Sequence, residues 1–144
     1  MKITKFIVID SSVAVKWVNI QDERLTDRAN QIMQHVQENK FTILMPELAK
    51  YEVANALIYK KMEFSLLEIS LDDFYHLPIS FIPETRHLAL SALEIAISNG
   101  ITYYDATFIA LAKNQRADLV TDNPKHQNKY KGKEVRIIPL KDYV

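Results

Sequence analysis

The sequence of 144 residues contains no cysteine and only two glycines, Gly100 and Gly132. The absence of cysteine excludes disulfide bonds, thiolate metal sites and cysteine nucleophiles. A P-loop or a dinucleotide-binding turn needs several glycines close together, and neither motif is present. A G-x-S-x-G nucleophile elbow is also absent. These absences exclude several common classes of nucleotide-binding and hydrolytic site.

The chain also lacks net charge and long apolar runs. Its 18 basic and 18 acidic residues balance, so bulk charge does not indicate a nucleic-acid partner. No apolar run approaches the roughly 20 residues that span a bilayer, and the segment "MKITKF" lacks the apolar core of a signal peptide. Length and composition therefore predict one domain, residues 1–144, in the cytoplasm and without membrane contact.

Short apolar segments alternate with amphipathic segments along the chain. The apolar segments predict strands at 6–9, 41–45, 79–83, 118–121 and 135–139. The intervening segments predict helices at 11–18, 23–38, 46–61, 66–75, 85–100 and 103–115. This alternation predicts a three-layer α/β/α fold with a central parallel sheet of about five strands. Sites in such sheets lie beyond the carboxyl ends of the strands, near the point where strand order reverses.

Four acidic side chains occupy positions at or near this predicted edge. Asp10 directly follows the apolar strand "FIVI", and Asp122 directly follows "DLVT". Glu52 and Asp105 border the apolar faces of their predicted helices. Each residue has a purely structural explanation: Asp10 as a helix N-cap, Asp105 at the positive end of a helix, Asp122 in a turn, and Glu52 at the surface near Lys50. Together, however, they predict one acidic cluster.

An acidic cluster of this kind favours a metal site. Unneutralised carboxylates raise each other's pKa values, and a divalent cation relieves the repulsion. Oxygen ligands without thiolates favour Mg²⁺ or Mn²⁺. Metals held by carboxylates activate water for displacement at phosphorus, often as two ions about 3.5–4 Å apart. The cluster therefore indicates phosphodiester hydrolysis.

A basic segment lies near the carboxyl terminus, between residues 113 and 136. It is explained either as a solvated loop or as a surface that follows a polynucleotide backbone. The residues predicted to contact polynucleotide phosphates are Lys125, Lys129 and Lys131.

Four motifs, "VIDSSVAVKW", "PELAKYEVANAL", "ITYYDATFIALA" and "LVTDN", resemble in order and approximate spacing those of PIN-domain ribonucleases. The most similar subgroup is the VapC-type toxins of type II toxin–antitoxin pairs. The resemblance implies an Mg²⁺-dependent endoribonuclease, with Mn²⁺ able to substitute. It also implies an RNA substrate, a small antitoxin partner and a homodimer.

The resemblance also implies roles for particular residues. Asp10 and Asp105 match the principal metal ligands, and Glu52 completes the acidic cluster. The usual fourth acid follows the threonine by two residues, where this chain has Asn123. Asp122 is shifted by one position, so Asp122 and Asn123 are both candidates for that role. The hydroxyl residues expected near the metal or the phosphate are Ser11, Ser12 and Thr121.

Other functions remain to be weighed against this one. A haloacid-dehalogenase-type phosphatase requires D-x-D after the first strand, and a response-regulator receiver requires an acid after the third strand; this chain has neither. A PIN-like module that binds RNA without cleaving it, and an RNA-processing PIN nuclease without an antitoxin, both remain open.

Aromatic residues are concentrated in the segment 57–77, which we predict to contact a protein partner. Core packing is the alternative explanation of this density. The aromatic residues concerned are Tyr59, Phe64, Phe74 and Tyr75, with the aliphatic Leu67 among them.

Overall fold

The computed structural model describes residues 5–19 and 24–144. Five strands are present in these ranges: β1 (Phe6–Ile9), β2 (Thr42–Pro46), β3 (Ile79–Ile82), β4 (Asp118–Thr121) and β5 (Ile137–Pro139). The helices are α1 (Ser11–Val18), α2 (Thr26–Gln37), α3 (Leu48–Ile58), α4 (Phe64–His76), α5 (Arg86–Asn99), α6 (Tyr103–Gln115) and α7 (Pro124–Gln127). A 3₁₀ turn, Leu140–Asp142, follows β5.

The five strands form one sheet in the order β3-β2-β1-β4-β5, and every neighbouring pair is parallel. Val8 in the central strand is in register with Leu44 on one side and Leu119 on the other. Strand order runs in one direction from β1 to β3 and in the other through β4 and β5. The reversal therefore lies at the carboxyl end of β1, directly before Asp10. The predicted α/β/α fold with a parallel sheet is confirmed.

The core of the protein lies on both faces of this sheet. Parallel strands covered on both faces are apolar throughout, and β1, β2 and β4 are almost entirely buried. Helix α1 packs against α3 and α4, and α6 packs against α5 and β1. Helices α1 and α3 directly follow β1 and β2, so they begin at the edge of the sheet at which Asp10 lies, and the first residues of α6 line a pocket with Pro46 and Ile82 at the same edge.

Local sequence signals explain several element boundaries. Asp10 caps α1, and the side chains of Thr85 and Thr102 accept hydrogen bonds from the first turns of α5 and α6. Helix α5 ends at Gly100, whose φ of 64° is a left-handed conformation that glycine adopts without steric cost. The predicted helix at 23–38 is observed as α2, Thr26–Gln37, and its predicted first residue, Glu23, lies outside the described residues.

Some predicted boundaries are wrong. Pro46 is the last residue of β2 rather than part of α3, because a residue at the end of a strand can lack an N–H without losing a ladder hydrogen bond. Helix α4 begins at Phe64, two residues earlier than predicted. The polar segment after β4, predicted as a loop, includes the short helix α7.

The prediction that Phe74 belongs to a contact surface is also wrong. Its side chain is fully buried, with its ring centroid 5.5 Å from that of Phe81. Tyr59, Phe64 and Tyr75 are exposed. Within the described ranges, no helix is both long enough and apolar enough to span a membrane.

Candidate active site

Asp10 lies at the carboxyl end of β1 and uses one carboxylate oxygen to organise the residues around it. Its Oδ2 accepts hydrogen bonds from the backbone N and the Oγ of Ser12 and from Oγ1 of Thr121, at 3.3, 2.5 and 3.1 Å. Its backbone N donates to the carbonyl of Val120, which ties the end of β1 to β4. Among the described residues, no group donates to Oδ1. The N-cap explanation of Asp10 is therefore correct, but it involves only one of the two oxygens.

The environment of Asp10 disfavours its charge. Burial is the largest effect and raises the pKa of its carboxyl group, while the hydrogen bonds from Ser12 and Thr121 oppose the increase. The negative charge of Asp105 raises the pKa further. The Asp10 and Asp105 carboxylates are thus close enough to repel each other.

Glu52 joins these two residues from α3. Its Oε1 accepts a hydrogen bond from Oγ of Ser11 at 2.9 Å, which links α3 to the first turn of α1. Burial raises the pKa of Glu52 to about 7, the Ser11 hydrogen bond opposes the increase, and the charges of Asp10 and Asp105 add to it. Lys50 does not neutralise Glu52, since its Nζ lies 2.8 Å from Glu47 Oε2 instead.

Asp105 enters the cluster from the first turn of α6. Its backbone N donates to Oγ1 of Thr102 at 3.1 Å, so the cap of α6 fixes the start of the turn that carries the carboxylate. The residue is partly buried, and among the described residues no lysine, arginine or histidine forms an ion pair with it. Three carboxylates from β1, α3 and α6 therefore influence one another at one edge of the sheet.

The segment after β4 lies against α1. The backbone N of Asp122 donates to Oγ of Ser12 at 3.0 Å, and the backbone N of Asn123 donates to Oγ1 of Thr121 at 3.1 Å. Lys16 Nζ lies 3.2 Å from Asp122 Oδ2 and donates to the carbonyl of Arg24 at 2.7 Å. Asp122 is therefore neutralised by a cation, whereas Asn123 is exposed.

Lys16 is the charged residue near the site that sequence reasoning missed. Its side chain is 2% exposed, and that of Asp122 is 15% exposed. A lysine among the apolar residues of "VAVKWV" is a signal of a buried cation, but the sequence does not identify its partner 106 positions away.

The predicted RNA-contact residues lie on the surface beside this edge. Lys125, Lys129 and Lys131 are exposed, and the backbone N of Lys131 donates to Oδ1 of Asn99 at 2.9 Å. Other cations of the basic segment are paired with acids: Arg136 with Asp118 at 2.6 Å and Lys113 with Glu134 at 3.8 Å. The surface is less basic than its lysine and arginine content suggests.

The chemistry of the three carboxylates fits a hard divalent cation. Within the described ranges, however, no group of three histidine, aspartate or glutamate side chains converges closely enough to hold a metal as it stands. The oxygens available for such an ion are Oδ1 of Asp10 and the carboxylates of Glu52 and Asp105. Raised pKa values show that charge at this position is disfavoured, and a cation would reverse that penalty.

The pKa of Glu52 leads to a testable pH dependence. Between about pH 4.5 and 7, the folded protein retains a proton on Glu52 that the unfolded chain has released, so the contribution of Glu52 to stability falls as pH rises. The raised pKa of Asp10 acts in the same direction. In EDTA, we expect the difference between the Tm of wild type and the Tm of Glu52→Gln to decrease as pH is raised from 5.5 to 8. A Tm difference that does not change over this range would contradict the assignment.

The fold and the site together define a class: a doubly wound parallel α/β protein with acidic side chains at the strand-order reversal. The model of the PIN domain family matches residues 7–132, which is most of the chain. The chain therefore belongs to the PIN domain family. No curated protein sequence matches it significantly.

Several solved structures with the same fold are of VapC or VapBC proteins. VapBC2 from Rickettsia felis, bound to a DNA fragment from its promoter, is similar with a TM-score of 0.70 and 16% identity over 93% of this chain and 98% of that chain. DNA-bound VapBC from Salmonella typhimurium gives a TM-score of 0.67 and 14% identity over 96% and 99% of the two chains. VapC20 of Mycobacterium tuberculosis, a sarcin–ricin loop cleaving toxin, gives a TM-score of 0.61 and 14% identity over 78% of this chain and 86% of that chain. At these identities, the similarity establishes the fold.

Proposed function

We propose that the protein is an Mg²⁺-dependent endoribonuclease and the toxin of a type II toxin–antitoxin pair. The observation that carries this proposal is the mutual influence of Asp10, Glu52 and Asp105, three carboxylates that no cation among the described residues neutralises. Family membership supports it, because PIN domains are typically nucleases. The similar fold of a toxin that cleaves the sarcin–ricin loop also supports an RNA substrate.

In this proposal, Asp10, Glu52 and Asp105 hold the cation, and Asn123 supplies a neutral oxygen. The ion, when bound, provides a Lewis acid and activates water for attack on the phosphodiester. Ser12 and Thr121 hold the Asp10 carboxylate in one rotamer, so that Oδ1 stays directed away from their hydroxyl groups. Ser11 does the same for Glu52. Because Lys16 already pairs with Asp122, we assign Asp122 to orienting the segment that carries Asn123.

The exposed lysines 125, 129 and 131 would contact RNA phosphates on either side of the cleaved bond. Such contacts add affinity without base specificity, and they weaken as salt concentration rises.

We further propose that an antitoxin segment occupies an apolar groove between α3 and α4. The groove has a volume of about 670 Å³ and lies within the predicted contact segment 57–77. An apolar helix face fits such a groove, and the similar VapBC structures are toxin–antitoxin assemblies. An antitoxin complex in which this groove stays exposed would contradict the proposal. Its main apolar lining residues are Leu57, Ile58, Phe64, Leu67, Leu71 and Tyr75.

A homodimer in the cytoplasm is the remaining part of the proposal. Leu90, Leu93 and Ile97 form an exposed apolar line along α5, at the helical spacing that a second copy could cover.

Cleavage of a mixed RNA pool by the purified protein tests the function. With Mg²⁺ or Mn²⁺ we expect discrete products, and with EDTA we expect the pool to remain intact. Cleavage that persists in EDTA would contradict the metal mechanism.

A second function is suggested by the altered motif after β4, in which Asn123 occupies the position of the usual fourth acid. A PIN-like module that binds RNA without cleaving it would leave the pool intact under all conditions while shifting its mobility. An RNA-processing nuclease would cleave RNA and have no antitoxin. A search of the neighbouring genes for a small DNA-binding protein would distinguish this function from that of a toxin.

A further inference from the structure

An aromatic pocket of about 260 Å³ lies beside the carboxylate cluster. It opens beyond the carboxyl ends of β2 and β3, at the same edge of the sheet as Asp10, and Pro46 and Ile82 at those strand ends form its floor. Its lining includes three aromatic side chains, two carboxylates and one aliphatic side chain: Tyr51, Tyr103, Tyr104, Glu47, Glu84 and Leu88.

The pocket shares two helices with the proposed active site. Tyr51 directly precedes Glu52 on α3, and Tyr104 directly precedes Asp105 on α6. A group bound in the pocket would therefore lie next to whatever the carboxylates act on. The pocket and the cluster are thus built on the first turns of the same two helices.

The rings of Tyr51 and Tyr104 are largely exposed to solvent. Their exposed fractions are 75% and 60%, and within the described ranges neither ring packs against another aromatic ring. Exposed tyrosine rings beside a nuclease site are suited to stacking on an unpaired base, since every base has a π-face.

The polar groups of the pocket are negative or neutral. The Tyr103 hydroxyl donates to Oε1 of Glu84, and Glu47 pairs with Lys50 at 2.8 Å. Carboxylates repel phosphate and accept hydrogen bonds from amino groups. A planar group that carries amine donors therefore fits the pocket better than a phosphate does.

We propose that this pocket binds one nucleobase of single-stranded RNA adjacent to the cleaved phosphate, and that it prefers bases with an exocyclic amino group. The proposal rests on the proposed nuclease function and adds to it a subsite for one base that has left the stack. Adenine and cytosine present an amine to a carboxylate acceptor, whereas uracil does not.

Fluorescence anisotropy with single-stranded RNA 12-mers of A, C or U tests the pocket, in Ca²⁺ under conditions in which no cleavage is detected. We expect Tyr104→Ala to weaken binding of the A and C oligonucleotides about ten-fold, which corresponds to the loss of one base–aromatic stack. Tyr104→Phe retains the ring and should bind as wild type does. Tyr59→Ala, an exposed tyrosine outside the pocket, should also be unchanged.

A second arm tests the base preference. Wild type should bind the A and C oligonucleotides more tightly than U, and Glu84→Gln, which adds an amide donor, should reduce that difference several-fold. If the protein cleaves RNA with Mg²⁺ but Tyr104→Ala and wild type bind RNA equally, the result would contradict base binding in the pocket and would not affect the proposed nuclease function. A wild-type protein that neither binds nor cleaves RNA would overturn both. A change in oligomeric state in Tyr104→Ala without a change in RNA affinity would assign the surface to a second copy instead.

Discussion

We expect Asp10→Asn to abolish the proposed metal-dependent RNA cleavage while leaving the fold intact. We expect a loss of at least about 100-fold, because even groups that only support a metal ligand contribute 10–100-fold. An asparagine oxygen can accept the hydrogen bonds of Ser12 and Thr121, which places its amide nitrogen where the carboxylate Oδ1 had been. The variant therefore loses the charge and a metal ligand but keeps the cap of α1.

The thermal stability of the Asp10→Asn variant separates this role from a structural one. Burial raises the pKa of Asp10, so a neutral side chain removes a desolvated charge, and the variant should unfold in EDTA at or above the wild-type Tm near pH 8. Addition of Mg²⁺ should raise the Tm of wild type only. Asp73→Asn, an exposed acid on α4, is the matched control for charge and should cleave normally. Cleavage by Asp10→Asn at the wild-type rate would show that Asp10 serves only as a helix cap.

Lys16→Met should destabilise the protein by about 3 kcal/mol, the lower end of the range for removing one partner of a buried ion pair. Lys16 Nζ bridges Asp122 Oδ2 and the carbonyl of Arg24, while methionine retains most of the apolar stem. The variant leaves the Asp122 carboxylate with little solvent and no cation at 3.2 Å. Urea unfolding in EDTA measures the loss directly.

The double variant Lys16→Met/Asp122→Asn supplies the control for this prediction. Removing both charges relieves the uncompensated carboxylate, so the double variant should recover part of the free energy of unfolding that the single variant loses. A double variant no more stable than Lys16→Met would show that the cost comes from the lost Arg24 contact or from packing. Wild-type stability of Lys16→Met would contradict the ion pair itself.

Most of the fold could be predicted because its signals are local. Asp10, Thr85 and Gly100 lie next to the elements that they begin or end, and the apolar strands are uninterrupted. The location of Asp10, Glu52 and Asp105 at one edge was also predictable, since the carboxyl ends of parallel strands share an edge. In the structure, the charge of Asp105 raises the pKa values of Asp10 and Glu52, and the charge of Asp10 raises that of Glu52.

Features that depend on distant partners could not be predicted in the same way. Lys16 meets Asp122 only because β1 and β4 are neighbours, a strand order that no local pattern records. The aromatic segment 57–77 divides between the core and the surface: Phe74 faces the sheet, while Tyr59 and Tyr75 face outward. Aromatic density alone does not distinguish these faces.

The central claim is that Asp10, Glu52 and Asp105 hold a divalent cation, and calorimetric titration of Mn²⁺ into metal-free protein at pH 8 tests it most directly. Wild type should bind Mn²⁺ with a defined stoichiometry, and the matched variants Asp10→Asn and Asp105→Asn should each lose at least ten-fold in affinity. Wild-type protein that binds no Mn²⁺, or variants that bind it equally well, would contradict the account.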